Sequence, residues 1–380
     1  MFAANELGNF LHHRGALARA LADKGVASVV IADADSKSDT DGLVFRNVRI
    51  NRYGFDAIGD SMLFLTILRE IIRWRPEVVH LFHLKPYLYG GLAAQIARLA
   101  GWRGRLIATV PGRGRLYAGD TSRSGMRKLR RRIVQPMLRI ALKDADVTFE
   151  TKADRDFWVD ERLTSALKAH VVNGAGIDMN AFSPARRQRR DGQRLRVLYA
   201  GRLLVTKGLD TFLQAAQMVQ RHARGAQIEM MIAGSHTGDP DEVPLADLVD
   251  APGVRLLGHV DDMPKLLSEC DVVVLPSRYN EGIPRILIEA AATGCVPVAT
   301  HFAGSEAVIR HGKTGFLLAE GSMQEQAAEV SDLLAMLEGD RRKCSVIGDQ
   351  AAGFVREGGF DNRSVNDALL SLYAFVGQRN

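Results

Sequence analysis

Asp271–Thr300 reads DVVVLPSRYNEGIPRILIEAAATGCVPVAT, and this stretch decides the fold class. Val272–Leu275 is a short apolar run rich in β-branched residues, the mark of a strand buried on both faces. It stops at Pro276-Ser277, and a polar turn follows. A helix is expected to begin near Ile283, with Pro284 in its first turn, where the missing N–H would lack a partner anyway. The helical pattern runs to Thr293, and Val296–Ala299 is a further buried strand. This alternation describes an α/β protein with a parallel sheet.

The alternation extends in both directions. Upstream, strands are expected at Ala27–Ala32, Glu77–Leu81, Arg105–Val110, Asp146–Phe149 and Ala169–Val172, with helices at Arg14–Lys24, Met62–Trp74 and Leu88–Leu99. The second half adds strands at Leu195–Ala200, Gln227–Ala233 and Gly253–Leu257, and helices at Leu209–His222 and Pro264–Glu269. Two doubly wound parallel sheets are the economical arrangement. The break falls in Ser183–Arg196, SPARRQRRDGQRLR, which is polar and holds no apolar periodicity. Domains are therefore expected over 1–183 and 184–360. Gln324–Phe375 reads as two or three helices, and a last helix over 361–380 either covers an edge or crosses back to the first domain. The chain opens oddly: Met1–Ala4 precede an expected loop, Asn5–Asn9, so the first strand is expected to be short or missing.

Composition narrows the class. The 380 residues are 46% hydrophobic and 25% charged, which excludes collagen-like, disordered and disulfide-scaffold chains. Three cysteines without pairing motifs fit a reducing cytoplasm. The N-terminus does not read as a signal peptide, and no apolar run reaches the ~18 residues of a spanning helix. The net charge of +6 asks for an anionic partner. Arg123–Lys143, RSGMRKLRRRIVQPMLRIALK, concentrates it, with Arg127, Lys128, Arg130, Arg131 and Arg132 at its centre and no acid. Interleaved Leu129, Ile133, Met137, Leu138, Ile140 and Leu142 make this a basic amphipathic segment of membrane-surface type. The alternative is a helix whose apolar face packs in the first domain and whose charges are solvated. Nucleic acid is disfavoured, since few aromatics interleave the charges.

Two clusters could carry chemistry. Glycine at 282 allows a ligand close to the backbone, and the N–H groups of residues 283–285 at a helix start, beyond the carboxyl end of a parallel strand, suit an anion. Glu281 would repel phosphate and better faces a hydroxyl-rich group. Glu289 lies eight residues on, about 12 Å along a helix, stretched for a glycosidase carboxylate pair. A capping glutamate and an exposed helical one are the plain alternative for this pair. The second cluster is Val197–Gly208, VLYAGRLLVTKG. Gly201, Arg202 and Lys207 follow a strand, placed to neutralise a diphosphate or simply solvated.

Gly201-Arg202…Lys207-Gly208, followed by Glu281-Gly282-Ile283-Pro284 and Glu289, resembles the family 4 retaining glycosyltransferases of GT-B fold. Phe10-Leu-His-His13-Arg14, Pro76-Glu-Val-Val-His80 with Lys85-Pro86, Asp154-Arg-Asp-Phe157 and Asn173-Gly-Ala-Gly-Ile-Asp178 with Phe182 are similar to the same family. The subgroup extends lipid-linked oligosaccharides and capsular or O-antigen units. The resemblance implies two Rossmann-like domains facing across a cleft, an acceptor-binding one first and a nucleotide-sugar-binding one second. It implies that Arg202 and Lys207 hold the donor diphosphate, that Glu281 with the backbone at Gly282, Ile283 and Pro284 contacts the donor sugar, and that Glu289 holds the ribose hydroxyls. Gly8 would lie against the diphosphate, and His13, Arg14 and Lys85 on the acceptor side. Gly258-His259-Val260 is the candidate base-contacting loop, with Val260 its named contact.

The implied reaction moves a sugar from a nucleotide-diphosphate sugar, a UDP-sugar, to a polyprenyl-diphosphate-linked glycan, with retention, with no metal and no other cofactor. The partners are the donor, the lipid-linked acceptor and an anionic membrane surface, with no nucleic acid, which sets the protein at the inner face of the cell membrane. An epimerase or phosphorylase of the same fold, or a non-catalytic binding homologue, are the alternatives. Where many relatives carry a histidine after Arg105–Val110, this chain has Pro111-Gly112, so that role is not carried over. Gly312-Lys313-Thr314 lacks the first glycine of a phosphate-binding P-loop and reads as a turn into a strand. Gly112-Arg-Gly114 and Gly174-Ala-Gly176 lack the third glycine of a dinucleotide fingerprint. His80 and His83 lack clustered carboxylate or thiolate ligands and read as packing or substrate-contact residues.

Overall fold

The structure, a computed structural model, describes residues 1–34, 43–52, 54–112, 124–187, 194–221, 227–236, 238–249, 251–279 and 281–373; for 124–131, 186, 245 and 249 it describes the backbone alone. The chain forms two compact units, Met1–Gly176 with Asn362–Asn380, and Ile177–Asp361.

In the first unit the strands are β1 Phe2–Glu6, β2 Val29–Asp33, β3 Val44–Asn47, β4 Val78–Phe82, β5 Arg105–Val110, β6 Asp146–Phe149 and β7 Ala169–Val171. They form a parallel sheet in the order β3-β2-β1-β4-β5-β6-β7. The helices are α1 Leu7–Asp23, α2 Ala57–Trp74, α3 Gly91–Leu99, α4 Ser124–Ala141 and α5 Lys152–Asp160. Strand order reverses between β1 and β4, as a doubly wound fold requires.

The expectation of a short or missing first strand is corrected here. β1 has five residues, as many as β2 and β4, and lies mid-sheet, with Phe2 opposite both Val30 and His80. The expected Asn5–Asn9 loop is absent: Glu6 ends the strand in extended conformation and helix α1 starts at Leu7. Phe2, Ala4, Leu7 and Phe10 join one core, so strand and helix are fixed by a shared apolar face.

The second unit repeats the pattern with β8 Leu195–Ala200, β9 Ile228–Ala233, β10 Val254–Gly258, β11 Val272–Leu275, β12 Val296–Thr300 and β13 Phe316–Leu318. Their order is β10-β9-β8-β11-β12-β13, all parallel. The helices are α6 Leu209–Arg221, α7 Leu245–Val249, α8 Met263–Ser268, α9 Arg285–Thr293, α10 Ala303–Val308, α11 Met323–Gly339 and α12 Arg341–Glu357. Strands β8, β11 and β12 are buried almost throughout, which is why their sequences are nearly continuous apolar runs.

The unit boundary lies at Gly176/Ile177, before the expected 183/184, because Ile177 and Phe182 belong to the second core. Arg187 extends this attachment: its guanidinium donates to the backbone oxygens of Gly294 and Cys270 and pairs with Asp271. Of the expected linker, residues 188–193 lie outside the described residues. The last helix, α13 Asn362–Tyr373, places Val365 and Leu369 in the core with Phe2, Leu7 and Phe10, so it is part of the first unit.

Candidate functional site

The second sheet reverses its order between β8 and β11, and the loops that leave the carboxyl ends of these two strands lie together. Residues 201–207 follow β8 and end in a tight turn, Val205–Lys207, closed by Gly208 at φ 73°. Glycine is required there twice over, since a Cβ would also overlap the Pro276 carbonyl oxygen of the β11 loop. Arg278 N–H donates to the Thr206 oxygen at 2.9 Å and binds the two loops further.

This contact brings residues 74 positions apart into one cluster. Lys207 Nζ pairs with Glu281 Oε2, both side chains largely buried, and lies 5.6 Å from the centre of the Tyr279 ring. Ser277 Oγ–H donates to Glu281 Oε1 at 2.6 Å. The Glu281 carboxylate is thereby held at both oxygens. Arg202 is different. Its side chain is 48% exposed, and its Nη1 lies 3.6 Å from the fully buried carboxylate of Asp239. Its backbone is fixed by Tyr199, whose O–H donates to the Arg202 oxygen at 2.8 Å.

The helix expected to start near Ile283 begins two residues later. Pro284 is extended and stands at the cap position, and α9 opens at Arg285. Ile283 is buried instead, in the core of the unit. Of the expected residues 283–285, only Arg285 offers an N–H at the helix start, since Ile283 precedes the helix and Pro284 has none; Leu287 N–H already bonds to the Pro284 oxygen. The plain reading of the glutamate pair also fails. Glu281 caps no helix, and Glu289 is 5% exposed rather than solvated. Burial pushes the Glu289 carboxyl above the usual range, against the pull of Arg285, whose Nε donates to it at 2.7 Å. A small recess beside this cluster is bounded by Ser277, Glu281, Gly282, Thr300 and Phe302. Val260 lies just beyond β10, at the same carboxyl edge, packed against the core.

In the first unit the sequence candidates do not form one cluster of free groups. Gly8 is exposed in the first turn of α1, where an added Cβ would meet only Glu6 Oε1, at 3.9 Å. His13 stacks edge-on with His12, ring centres 4.8 Å apart. Arg14 is buried: it donates to the Gly174 oxygen at 3.3 Å, pairs with Glu150 at 3.7 Å and lies over the Phe82 ring. Lys85 is tied to the buried Asp60 at 2.5 Å. His80 is a packing residue, the first of its two readings, with Nδ1 2.6 Å from the Tyr373 hydroxyl and Nε2 2.7 Å from Thr109 Oγ1. Desolvation holds it well below the usual histidine range. His83, at φ 74° beyond β4, accepts from Asn5 N–H, and desolvation lowers it to about 4. Arg127, Lys128, Arg130 and Arg131 lie on α4, but their side chains are outside the described residues; Arg132 is exposed.

Several members of the second-unit cluster are not legible in the sequence. Ser277 stands in the quoted turn but reads there only as a strand terminator. Tyr279 and Asp239 give no signal, because their role depends on contacts across the sheet edge. Gly304 is the least legible: a Cβ there would overlap the Gly282 carbonyl oxygen, so it lets α10 approach the Glu281-Gly282 turn.

Two doubly wound parallel sheets, one with cations and a held carboxylate at its switch point, define a two-unit α/β protein. Residues 13–149 match the model described as Glycosyltransferase Family 4, and residues 194–336 that described as Glycosyl transferases group 1. The chain belongs to these glycosyltransferases. It is similar to the D-inositol 3-phosphate glycosyltransferase of Arthrobacter sp., 30% identical over 215 residues, which is 53% of this chain and 49% of the relative. It is also similar to the capsular polysaccharide biosynthesis glycosyltransferase CapM of Staphylococcus aureus, 25% identical over 46% of this chain and 44% of the relative. The chain spans about half the length of such curated relatives. Among solved structures, Anabaena HepE in complex with UDP and glucose shares the fold, with a TM-score of 0.74, 19% identity and 99% of each chain covered.

Proposed function

We propose that this chain is a retaining glycosyltransferase that moves a sugar from a UDP-sugar to a lipid-linked, polyprenyl-diphosphate glycan in surface polysaccharide synthesis. The Lys207–Glu281 pair beside the half-exposed Arg202, at the switch point of the second sheet, carries the reading. HepE is described with UDP and glucose bound, and CapM acts in capsular polysaccharide biosynthesis, which supports the donor and acceptor classes.

In this reading Arg202 and Lys207 meet the diphosphate and Glu281 accepts from a donor-sugar hydroxyl. The bond from the sugar's anomeric carbon to the β-phosphate oxygen breaks, and its electron pair stays on the phosphate. An acceptor hydroxyl oxygen forms the new bond on the same face, and its proton leaves with the phosphate. Charge develops where Arg202, Lys207 and the start of α9 are placed, so electrostatic stabilisation lowers the barrier without a metal or other cofactor. Lys207 exchanges Glu281 for phosphate as the donor arrives, which frees Glu281 Oε2 for the sugar. Buried Glu289 takes the ribose. The enzyme works peripherally at the inner membrane face; none of the described helices is long and apolar enough to cross a bilayer.

The test is transfer by purified Arg202→Ala and Glu281→Ala chains to a polyprenyl-diphosphate acceptor, beside thermal shifts with UDP-, GDP- and ADP-sugars. Ligands that bind the native state raise its melting temperature with affinity, so a UDP-sugar should give the largest shift. Undiminished turnover in either variant rejects the site assignment.

A further inference from the structure

Helix α2 is apolar on two opposite faces. Its inner face is ordinary: Leu63, Ile67 and Ile71 are fully buried in the core of the first unit. Its outer face carries Ile58, Met62, Leu65 and Ile72, which are 76%, 56%, 58% and 50% exposed. At 100° per residue, these four and Arg69 fall in one stripe about 80° wide and about 21 Å long. Phe55, just before the helix, is 81% exposed, and Trp74 at its end is 57% exposed. A monomeric surface rarely leaves so continuous an apolar strip in water.

The exposed charges of α2 itself have one sign, although Glu77, past Arg75, is exposed. Arg69, Arg73 and Arg75 are exposed, and the Arg73 guanidinium lies 5.1 Å from the centre of the Trp74 ring. The acids of the segment are turned inward or occupied. Asp56 caps the helix through Gly59 N–H. Asp60 is buried on Lys85 and Tyr89. Glu70 is buried and accepts from Trp74 Nε1 at 2.9 Å. Apolar side chains, an aromatic at one end and arginines, with no exposed acid within the helix itself, are the composition of a helix that lies in a headgroup layer. A protein partner of that strip would have to be apolar and acidic together, whereas an anionic bilayer surface offers both properties everywhere.

We propose that the outer face of α2 is a membrane-docking surface, with Ile58, Met62, Leu65 and Ile72 at the acyl boundary and Arg69, Arg73 and Arg75 on anionic headgroups. This deepens the peripheral-membrane reading and rests on it, but not on the chemistry of transfer. It also adds a face that the basic segment on α4 does not contain.

The test is co-sedimentation of the full chain with vesicles of phosphatidylcholine containing about one third phosphatidylglycerol. Leu65→Asp should lower the partition coefficient about tenfold or more. Arg69→Ala with Arg73→Ala should weaken binding mainly on the anionic vesicles and reduce its salt dependence. Both sites are solvent-facing, and an unchanged melting temperature checks the fold. Tryptophan emission is a second readout, since Trp102 and Trp158 are buried and Trp74 is exposed; it should shift to the blue on vesicle addition. Partition of Leu65→Asp within about twofold of the parent overturns the proposal. So does a lipid-free dimer that Leu65→Asp dissociates, which would make the strip a self-association face. Turnover on a short water-soluble acceptor separates the two readings: a variant that loses vesicles but keeps that turnover leaves the catalytic assignment standing, and a chain that binds vesicles but transfers nothing overturns only the latter.

Discussion

Gly304→Ala is the sharpest test of how the second-unit site is held, because residue 304 lies outside every motif of the sequence. The added Cβ would overlap the Gly282 carbonyl oxygen and lie 2.6 Å from its carbon and 3.0 Å from the Glu281 oxygen. An ordinary contact of 3.4 Å to that carbon alone requires a separation of about 0.8 Å, and the oxygen requires more. Helix α10 cannot easily supply it. Ser305 Oγ–H donates to the Thr300 oxygen at 2.5 Å and accepts from Phe302 N–H at 2.9 Å, which pins the helix to the end of β12. The shift falls on Glu281-Gly282, whose carboxylate would leave Ser277 and Lys207. A displacement of roughly 1 Å at a positioned group costs about a hundredfold in rate, and overpacking costs about 1–3 kcal/mol of stability. The assay is kcat/KM for transfer alongside a thermal melt, with Gly353→Ala as the control. Gly353 sits on α12, where an added Cβ would meet nothing within 4 Å, so alanine there should leave turnover intact and add about 0.4–1 kcal/mol. Turnover of Gly304→Ala within about threefold of the parent would refute the reasoning.

Other consequences are direct. Arg202→Ala should lower turnover about a hundredfold or more. Because it also takes a cation from the fully buried Asp239, which keeps the Asp241 N–H at 3.1 Å, a stability loss of about 1–3 kcal/mol should accompany it in a thermal melt. Burial alone would raise the Asp146 carboxyl, but His170, Lys168 and Arg105 outweigh it and hold the group below 3.8. Its contribution to stability is therefore present above pH 3.8 and lost as pH falls through the lowered folded-state value. Asp146→Asn should cost about 1–2 kcal/mol at neutral pH, and the gap in denaturant midpoint should close on acidification. Tyr373→Phe leaves the buried His80 Nδ1 without its hydroxyl partner. A loss of about 1–3 kcal/mol is expected, with faster amide exchange in α13; unchanged exchange there would argue against the hydroxyl as its anchor.

The strands are the legible part of the fold. Apolar β-branched runs such as Arg105–Val110, Asp146–Phe149 and Leu195–Ala200 recur in the structure with the same limits, since a doubly buried parallel strand writes its burial into every residue. The N-terminus misleads for a local reason. Asn5-Glu6 looks like a polar loop, yet Glu6 closes a central strand while pairing with Arg52, and helix α1 follows without a connection. The strand Val44–Asn47 has half-exposed and exposed side chains, and an edge strand of four residues leaves too little periodicity to read. In the site, Lys207 and Glu281 are legible as types near strand ends. Their pairing is not, because it depends on Gly208 meeting Pro276, a contact between loops far apart in sequence.

Apart from the extra edge strand β7, both sheets share one strand order, yet their carboxyl edges treat charge differently. In the first unit Arg14 and Lys85 are held by buried acids: the Arg14 and Glu150 side chains are 6% and 7% exposed, and Asp60 under Lys85 is 3% exposed. Pulling such a cation away leaves a buried carboxylate unpaired, at a cost of several kcal/mol. These two cations are therefore committed to the fold, and binding any ligand through them means breaking it locally. At the second switch point Arg202 also faces a buried acid, Asp239, but its own side chain is 48% exposed, and Glu281 borders a small recess. In the proposed reaction a dianionic group entering there would replace one carboxylate partner of Lys207 with a stronger one, so the exchange would leave no charge stranded. Residue type does not distinguish Lys85 from Lys207. On the proposed reading, what separates them is whether the partner acid can find a new partner when a ligand arrives: Asp60 is buried, whereas Glu281 borders the recess.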